Sequence, residues 1–411
     1  MAPVFLLGVD WADEKHDWCL MDEAGKALDS LVTPHTLPGL ESLRDRVRGA
    51  VPPGSEILCA LETNHGLLVD FLLDQGWTVY PINPKSVDRY RERTRTARVK
   101  SDRLDAWLLA DILRTDRHLH RPLVPDSVLV RELRELTRDR ESLVQEGRRL
   151  TNQLMACLKA YWPESLGLFP DLQRPWALDF LAQYPTHGAA AKASLKVLRA
   201  FLKAHRYPRW ETKADEIFAA LRQPHFGAAP HLVRAKTRQA LHLISQLRTT
   251  VRDIHDYDGE IERLLREHPD GQLFLSLPGA GPNLAARLLA EIGDDRNRYA
   301  TFNSLQCDAG TAPVTRQTGK SLSTVLFRRS CKKPLRQAFQ LFAGCSLKRC
   351  DWARELYKAH RATGKRHPEA VRIVANRWAK IIFAIWQTRN CYDESRYLAA
   401  RERFAAHHLA A

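Results

Sequence analysis

Two short apolar runs each end in a single acid, and together they constrain the fold more than any other feature of the chain. Val4 to Asp10 reads VFLLGVD and Glu56 to Glu62 reads EILCALE. Runs this short and this free of polar alternation read as strands covered on both faces, which calls for helices packed on a sheet. An acid at the carboxyl end of such a strand stands at the rim of the sheet, where sites are built.

A second pair of acids lies in residues 99–111, VKSDRLDAWLLAD. Asp102 and Asp105 stand three apart at the start of an apolar helix, so both are expected on one face. Asp111 is about half a turn out of phase with Asp102 and cannot join them. Ser101 is the expected N-cap, and Leu104, Trp107, Leu108 and Ile112 form the expected buried stripe. The approach is basic, with Arg89, Arg91, Arg93, Arg95, Arg98 and Lys100 before the helix and Arg103 in it. Taken alone, two acids at a helix start can simply favour the positive end of its dipole. With Asp10 and Glu62 they instead make four carboxylates on separate rigid elements, which is what hard divalent ions beside a phosphate backbone require.

The 411 residues suffice for two or three domains, and 44% hydrophobic with 27% charged is a globular composition. A formal net charge of +15 favours a polyanionic partner. There is no apolar run of transmembrane length and no basic region followed by a signal-peptide core, so cytoplasmic or nucleoid residence is expected. Eight scattered cysteines without a CxxC pair argue against zinc and for thiols in a reducing compartment. His118 and His120 are read as surface residues.

Along residues 1–125, segments Val4 to Val9, His16 to Met21 and Ala27 to Val32 read as a three-strand meander. A helix from Gly39 to Arg48 follows, then the strand ending at Glu62, a helix from Leu67 to Leu73, a strand from Trp77 to Ile82, and the Asp102 helix. This order describes an α/β domain of the ribonuclease H type, closed by Pro122 and Pro125. From Ser127 the texture becomes long helix, with Leu129, Leu136, Leu143 and Leu150 at heptad spacing and Leu133 and Leu154 on the second seam. A matching stretch carries Leu247, Ile254 and Ile261, with Ile244, Val251 and Leu265 beside them and Asp258 interrupting. Residues 126–270 therefore read as a coiled-coil region with a small insert around 160–230, its arms pairing either within the chain or between subunits.

Residues 271–411 form a third, mainly helical region. It opens with LPGAGPNLAARLLAEIG, Leu277 to Gly293, whose Gly-x-Gly turn resembles a helix-hairpin-helix phosphate-holding device, with Gly281 permitting close backbone approach. From Ala309 to Cys350 there is no acid, while Arg316, Lys320, Arg328, Arg329, Lys332, Lys333, Arg336, Lys348 and Arg349 are basic. One sign over so long a run is the pattern of phosphate contact, because solvated faces mix signs. Within it lies TAPVTRQTGKSLST, Thr311 to Thr324, where hydroxyls, a glycine and cations meet, as phosphoryl transfer to a protein nucleophile requires.

GVDWADEKHD with Asp10, LETNHG with Glu62, KSDRLDAWLLAD with Asp102 and Asp105, and the motifs of the third region resemble the DEDD-type transposases of bacterial insertion sequences, the family described as bridge-RNA-guided recombinases. The resemblance covers nearly the whole chain. It implies a RuvC-like domain whose four acids hold Mg²⁺, a C-terminal transposase domain, assembly as a homo-oligomer (dimer or tetramer) with halves of the site from different subunits, and a structured guide (bridge) RNA that chooses the DNA sequence. In the family a serine before glycine in the second motif attacks the DNA backbone. Here Thr318 precedes Gly319, and its extra methyl restricts χ1. Thr318 is the nucleophile by position; Ser321 or Ser323 in its place, or an impaired copy, are the other readings. Lys100, Arg316, Lys320, Arg328, Arg329, Lys332 and Lys333 are the expected nucleic-acid contacts. Two other functions use the same residues: a structure-specific nuclease of the Holliday-junction resolvase kind, with water as nucleophile, and a non-catalytic nucleic-acid-binding protein.

Overall fold

The computed structural model describes residues 2–94, 101–316 and 324–399. It divides into two compact units, Met1–Pro125 and Asp126–Ala411. The first is a mixed α/β unit with strands β1 (Val4–Trp11), β2 (Lys15–Asp22), β3 (Ala27–Pro34), β4 (Glu56–Leu61) and β5 (Thr78–Pro81), and helices α1 (Leu37–Ala50), α2 (Leu67–Asp74), α3 (Pro84–Thr94) and α4 (Asp102–Asp116). The sheet order is β3-β2-β1-β4-β5. The first three strands pair antiparallel, and β4 and β5 run parallel to β1.

Alternation along the strands divides the apolar residues between two cores. Leu7, Val9, Trp18, Leu20, Cys59 and Leu61 face α1 and α2, where Leu40, Leu43, Val47, Leu68 and Leu72 cover them. Leu6, Met21, Leu58 and Ala60 face the other way, against Leu108, Leu109, Ile112 and Leu113 of α4 and Val87 of α3. Each large aliphatic side chain so buried contributes roughly 1.5–3 kcal/mol. Thr36 caps α1 and Ser101 caps α4, each hydroxyl accepting an amide hydrogen bond at 3.3 Å from the third residue on. Two expectations for α4 need correction. Leu104 and Trp107 are only half-buried, and the buried face of the helix includes Asp105 and Asp111.

The second unit is mostly helical. Its long helices α5 (Val128–Lys159) and α10 (Pro230–Glu267) run antiparallel within the chain: Arg140 meets Asp258, a Cβ at Gly147 would lie 3.7 Å from Thr250, and the Cys157 thiol reaches the Lys236 carbonyl at 3.3 Å. Between them α6 (Pro175–Gln183), α7 (His187–Ala190), α8 (Leu195–Ala204) and α9 (Trp210–Ala220) bury Trp162, Phe169, Phe180, Leu198 and Ile217 against Leu150, Leu154, Leu243 and Leu247 of the long pair.

The remainder comprises α11 (Gly271–Leu275), α12 (Pro282–Ile292), α13 (Phe302–Asp308), the hairpin strands β6 (Val314–Arg316) and β7 (Thr324–Leu326), α14 (Lys333–Ser346), α15 (Asp351–Ala362) and α16 (His367–Thr388). Its core centres on Phe274, Phe339, Phe342, Trp378 and Trp386. The two indoles are satisfied, Trp378 donating to Ser346 Oγ at 2.9 Å and Trp386 to the Gly293 carbonyl at 3.0 Å. Among the described residues no helix is long and apolar enough to cross a membrane.

Candidate active site

The site in the first unit is set by the smallest residue of β1. A Cβ at Gly8 would stand 2.0 Å from the Ala106 carbonyl oxygen and 2.5 Å from the Ala110 amide nitrogen, so α4 lies directly on the β1 backbone. Gly8 is flanked in the sheet by Cys19 on β2 and Ala60 on β4. A row of small side chains thus receives small residues of the helix, a close approach that only short side chains permit. Asp10 lies two residues past Gly8 on the same face, and Asp105 immediately precedes Ala106. The close packing therefore carries the start of α4 to the rim where β1 and β4 end.

The Asp10 carboxyl registers the result. Burial first, then the charges of Asp105, Asp102, Glu62 and Asp17, push its pKa up to about 6. The other three sequence-predicted acids are thus brought within electrostatic reach of Asp10, together with a further acid that sequence reasoning missed. Asp17 stands directly opposite Asp10 on β2 and is 9% exposed. Its own carboxyl is raised, chiefly by burial and then by Asp102, against the pull of Lys15 and Arg103.

Asp102 and Asp105 do not share an environment as their spacing suggested. Asp102 is exposed, whereas Asp105 is 4% exposed and accepts two hydrogen bonds on Oδ1 from Arg91, from Nη2 at 2.7 Å and Nε at 3.1 Å. Arg91 also reaches Asp88 at 2.9 Å. Part of the basic approach is therefore spent inside the unit: Arg91 on Asp105, and Arg93 on Asp116 at 3.6 Å. Asp111 pairs with Arg114 at 2.7 Å and stays outside the cluster. Among the described residues no three His, Cys, Asp or Glu side chains form a ready-made metal-binding group. The crowd of partly desolvated carboxylates is nonetheless a hard-oxygen donor set whose mutual repulsion a divalent cation would relieve.

In the second unit the predicted nucleic-acid residues separate into two kinds. Arg329 and Lys333 are exposed, while Arg328 donates from Nε to the Ala312 carbonyl at 3.3 Å. Lys332 is turned inward, its ammonium 2.9 Å from Oε2 of the fully buried Glu291 and 2.7 Å from that residue's carbonyl oxygen. It is an internal ion pair, which corrects its reading as a phosphate contact. Burial raises the Glu291 carboxyl, but hydrogen bonds and charge from Arg138 and Lys332 outweigh it and hold the group below its usual value. Lys332 itself is lowered, chiefly by burial. Glu291 is the acceptor that clamps α5 and the start of α14 to α12.

Arg316 ends β6; Thr318, Lys320, Ser321 and Ser323, like Lys100, lie outside the described residues. The two glycines of the turn at the start of α12 have different surroundings. Gly279 is the demanding position, with φ +85 and a would-be Cβ 2.9 Å from the Cys345 carbonyl, whereas nothing lies within 4 Å of a Cβ at Gly281.

Residues 7–163 match a family model of DEDD type for IS110, described as a transposase. Residues 271–358 match the model of the transposase IS116/IS110/IS902 family. Over 406 residues the chain is 36% identical to the mini-circle putative transposase for IS117 of Streptomyces coelicolor, covering 97% of this chain and 98% of that protein. It is 28% identical over 412 residues to an uncharacterized 42 kDa protein of insertion element IS900 from Mycobacterium paratuberculosis, covering 97% of this chain and 100% of that one. A putative transposase of Sinorhizobium fredii is 39% identical over 207 residues, 50% of this chain and 57% of the relative. A DNA transposase is the class these matches define. The chain belongs to the IS116/IS110/IS902 family of transposases.

Proposed function

We propose that the chain is a site-specific recombinase that moves its own element, cutting and rejoining DNA through a hydroxyl of its own with Mg²⁺ held by Asp10, Glu62, Asp102 and Asp105. The observation that carries the reading is the Asp10 carboxyl, raised to about 6 by burial and by four neighbouring acids. A fold that gathers like charges at a sheet rim gives up stability to do so, and such sites are characteristically functional. The strand order, three antiparallel strands followed by two parallel ones with helices on both faces, supports a ribonuclease H-type, RuvC-like assignment for residues 1–125. Residues 126–270 are then a coiled-coil region and 271–411 the transposase domain.

Bound Mg²⁺ would polarise the scissile phosphate and stabilise the charge that builds on it. Asp105, anchored by Arg91, fixes one edge of the cluster; the exposed Asp102 faces incoming DNA. The Thr318 oxygen bonds to phosphorus as the bond from phosphorus to a sugar oxygen breaks. The threonine proton is lost and the departing oxygen gains one. Attack by an incoming sugar hydroxyl reverses the exchange, so phosphodiester bonds are conserved and no outside energy is needed. Exposed cations such as Arg329 and Lys333 hold the backbone by charge alone, which orients without reading sequence. That division of labour suits a structured guide RNA for sequence choice and a homo-oligomeric assembly at the nucleoid.

Asp102→Asn is the direct test, because this exposed side chain can change without disturbing the core. Mg²⁺-dependent cleavage of element-end DNA should be lost with DNA affinity retained. Full cleavage by that variant would overturn the reading.

A further inference from the structure

The β6–β7 hairpin runs into an exposed aromatic residue. Leu326 is 39% and Phe327 42% exposed, and with Val314 and Arg329 they line an open cleft of about 500 Å³, inside the range of roughly 300–1,000 Å³ in which small ligands are held. Two more guanidinium groups lie against the Phe327 ring, Arg336 at 5.1 Å and Arg372 at 4.7 Å from its centre. Gly310, at φ +61, packs close behind Arg336, since a Cβ there would stand 3.2 Å from the arginine Cδ.

The charge at this place is unbalanced. Other partly buried arginines are matched to acids, as Arg91 is to Asp105, Arg138 to Glu291 and Arg296 to Asp270. Among the described residues, no ion pair is made by Arg329, Arg336 or Arg372, and the run from Ala309 to Cys350 that carries the first two contains no acid. Two half-buried cations and an exposed one without an anion, gathered on an apolar cleft, match a ligand that is flat and apolar at one end and anionic at the other. Paired bases offer a protein their edges, whereas an unpaired base offers its face.

We propose that this cleft holds one unpaired DNA nucleotide, the base on the Leu326–Phe327 surface and the phosphate among Arg329, Arg336 and Arg372. The proposal rests on the recombinase reading, because a cut strand must part from its complement before it can be joined to another, and it assigns the cleft to such an end.

The test uses the full-length protein and three labelled probes: a short oligothymidylate, a mixed-sequence duplex of equal length and an oligouridylate. Phe327→Ala should weaken oligothymidylate binding by roughly tenfold, the lower part of the range for losing one stacked base, and leave duplex affinity within about twofold. Phe327→Trp should restore single-strand binding, which a merely destabilised hairpin would not. Arg372→Gln should lower the salt slope for oligothymidylate by roughly one. An unchanged oligothymidylate affinity in the Ala variant, or an equal loss on duplex, overturns the proposal. Tighter parent binding of oligouridylate with the same Ala loss also overturns it, by giving the cleft to RNA. Because the readout is binding, it fails or holds separately from the Mg²⁺-dependent cleavage that tests the recombinase reading.

Discussion

Gly8→Ala inserts a single methyl where α4 rests on β1. The new Cβ would meet the Ala106 carbonyl oxygen at 2.0 Å and the Ala110 amide nitrogen at 2.5 Å, both backbone atoms that no rotamer change can move. Ordinary contact begins near 3.4 Å, so the helix must withdraw by about 1.4 Å in a core packed too densely to absorb it. Overpacking of this kind costs about 1–3 kcal/mol or somewhat more, which a domain stable by roughly 5–15 kcal/mol survives. The same withdrawal moves Asp105 and Asp102 away from Asp10, and a misplacement of about 1 Å at a reacting centre can cost on the order of a hundredfold in rate. Urea unfolding with single-turnover cleavage reads both effects. Gly49→Ala serves as control, since nothing lies within 4 Å of its Cβ in α1 and Ala there should be neutral or stabilising by about 0.5–1 kcal/mol. A Gly8→Ala protein as stable and as active as the parent would refute the placement of the site by close helix packing.

Glu291→Gln should destabilise the second unit by about 3–5 kcal/mol, because it leaves Arg138 and Lys332 facing an uncharged buried group. Because the Glu291 carboxyl is held below its ordinary value, its contribution is present above that ordinary value and lost as pH falls through the lower folded value; unfolding free energy against pH should be flatter in the variant, and parallel curves would contradict this. Asp17→Asn should raise the Mg²⁺ concentration for half-maximal cleavage several-fold by thinning the charge beside Asp102, and an unchanged midpoint would leave Asp17 as a buried acid only. Arg329→Ala should lower the slope of log affinity against log salt by roughly one. Lys332→Ala should leave that slope alone and reduce stability, and the opposite pattern would reverse the assignments made from their burial.

The first unit was largely legible because each strand and helix carries its own period. Val4 to Val9 and Ile57 to Leu61 are uniformly apolar since helices cover both faces, and Ser101 caps α4 as its chemistry suggests. Asp17 escaped notice because DEKHD offers several acids, and only the pairing of β2 with β1 decides which one turns inward beside Asp10. The unequal burial of Asp102 and Asp105 was hidden for a similar reason: helical spacing of three leaves a wide angle between side chains, and the sheet rim covers just one of them. In the second unit the heptads announced α5 and α10, but not whether they pair within the chain, since apolar seams do not name their partner. Residues 160–230 lack a period because short helices meet the long pair at several angles. The strands β6 and β7 have three residues each, too few for alternation to stand out. Lys332 reads like its neighbours in an acid-free run, and its true partner, Glu291, lies 41 positions away.

The central claim is that DNA is cut by a hydroxyl of the protein and not by water. The direct measurement is capture of a denaturant-resistant complex with end-labelled DNA in Mg²⁺, followed by mapping of the modified residue. The parent should form the adduct at Thr318; Thr318→Ser should keep or increase it by removing only the crowding methyl; and Thr318→Val, which keeps the shape without the oxygen, should abolish it. An adduct that persists in the Val protein would move the nucleophile to Ser321 or Ser323. Mg²⁺-dependent nicking with no adduct in any protein, the parent included, would make the chain a hydrolytic nuclease and contradict the account.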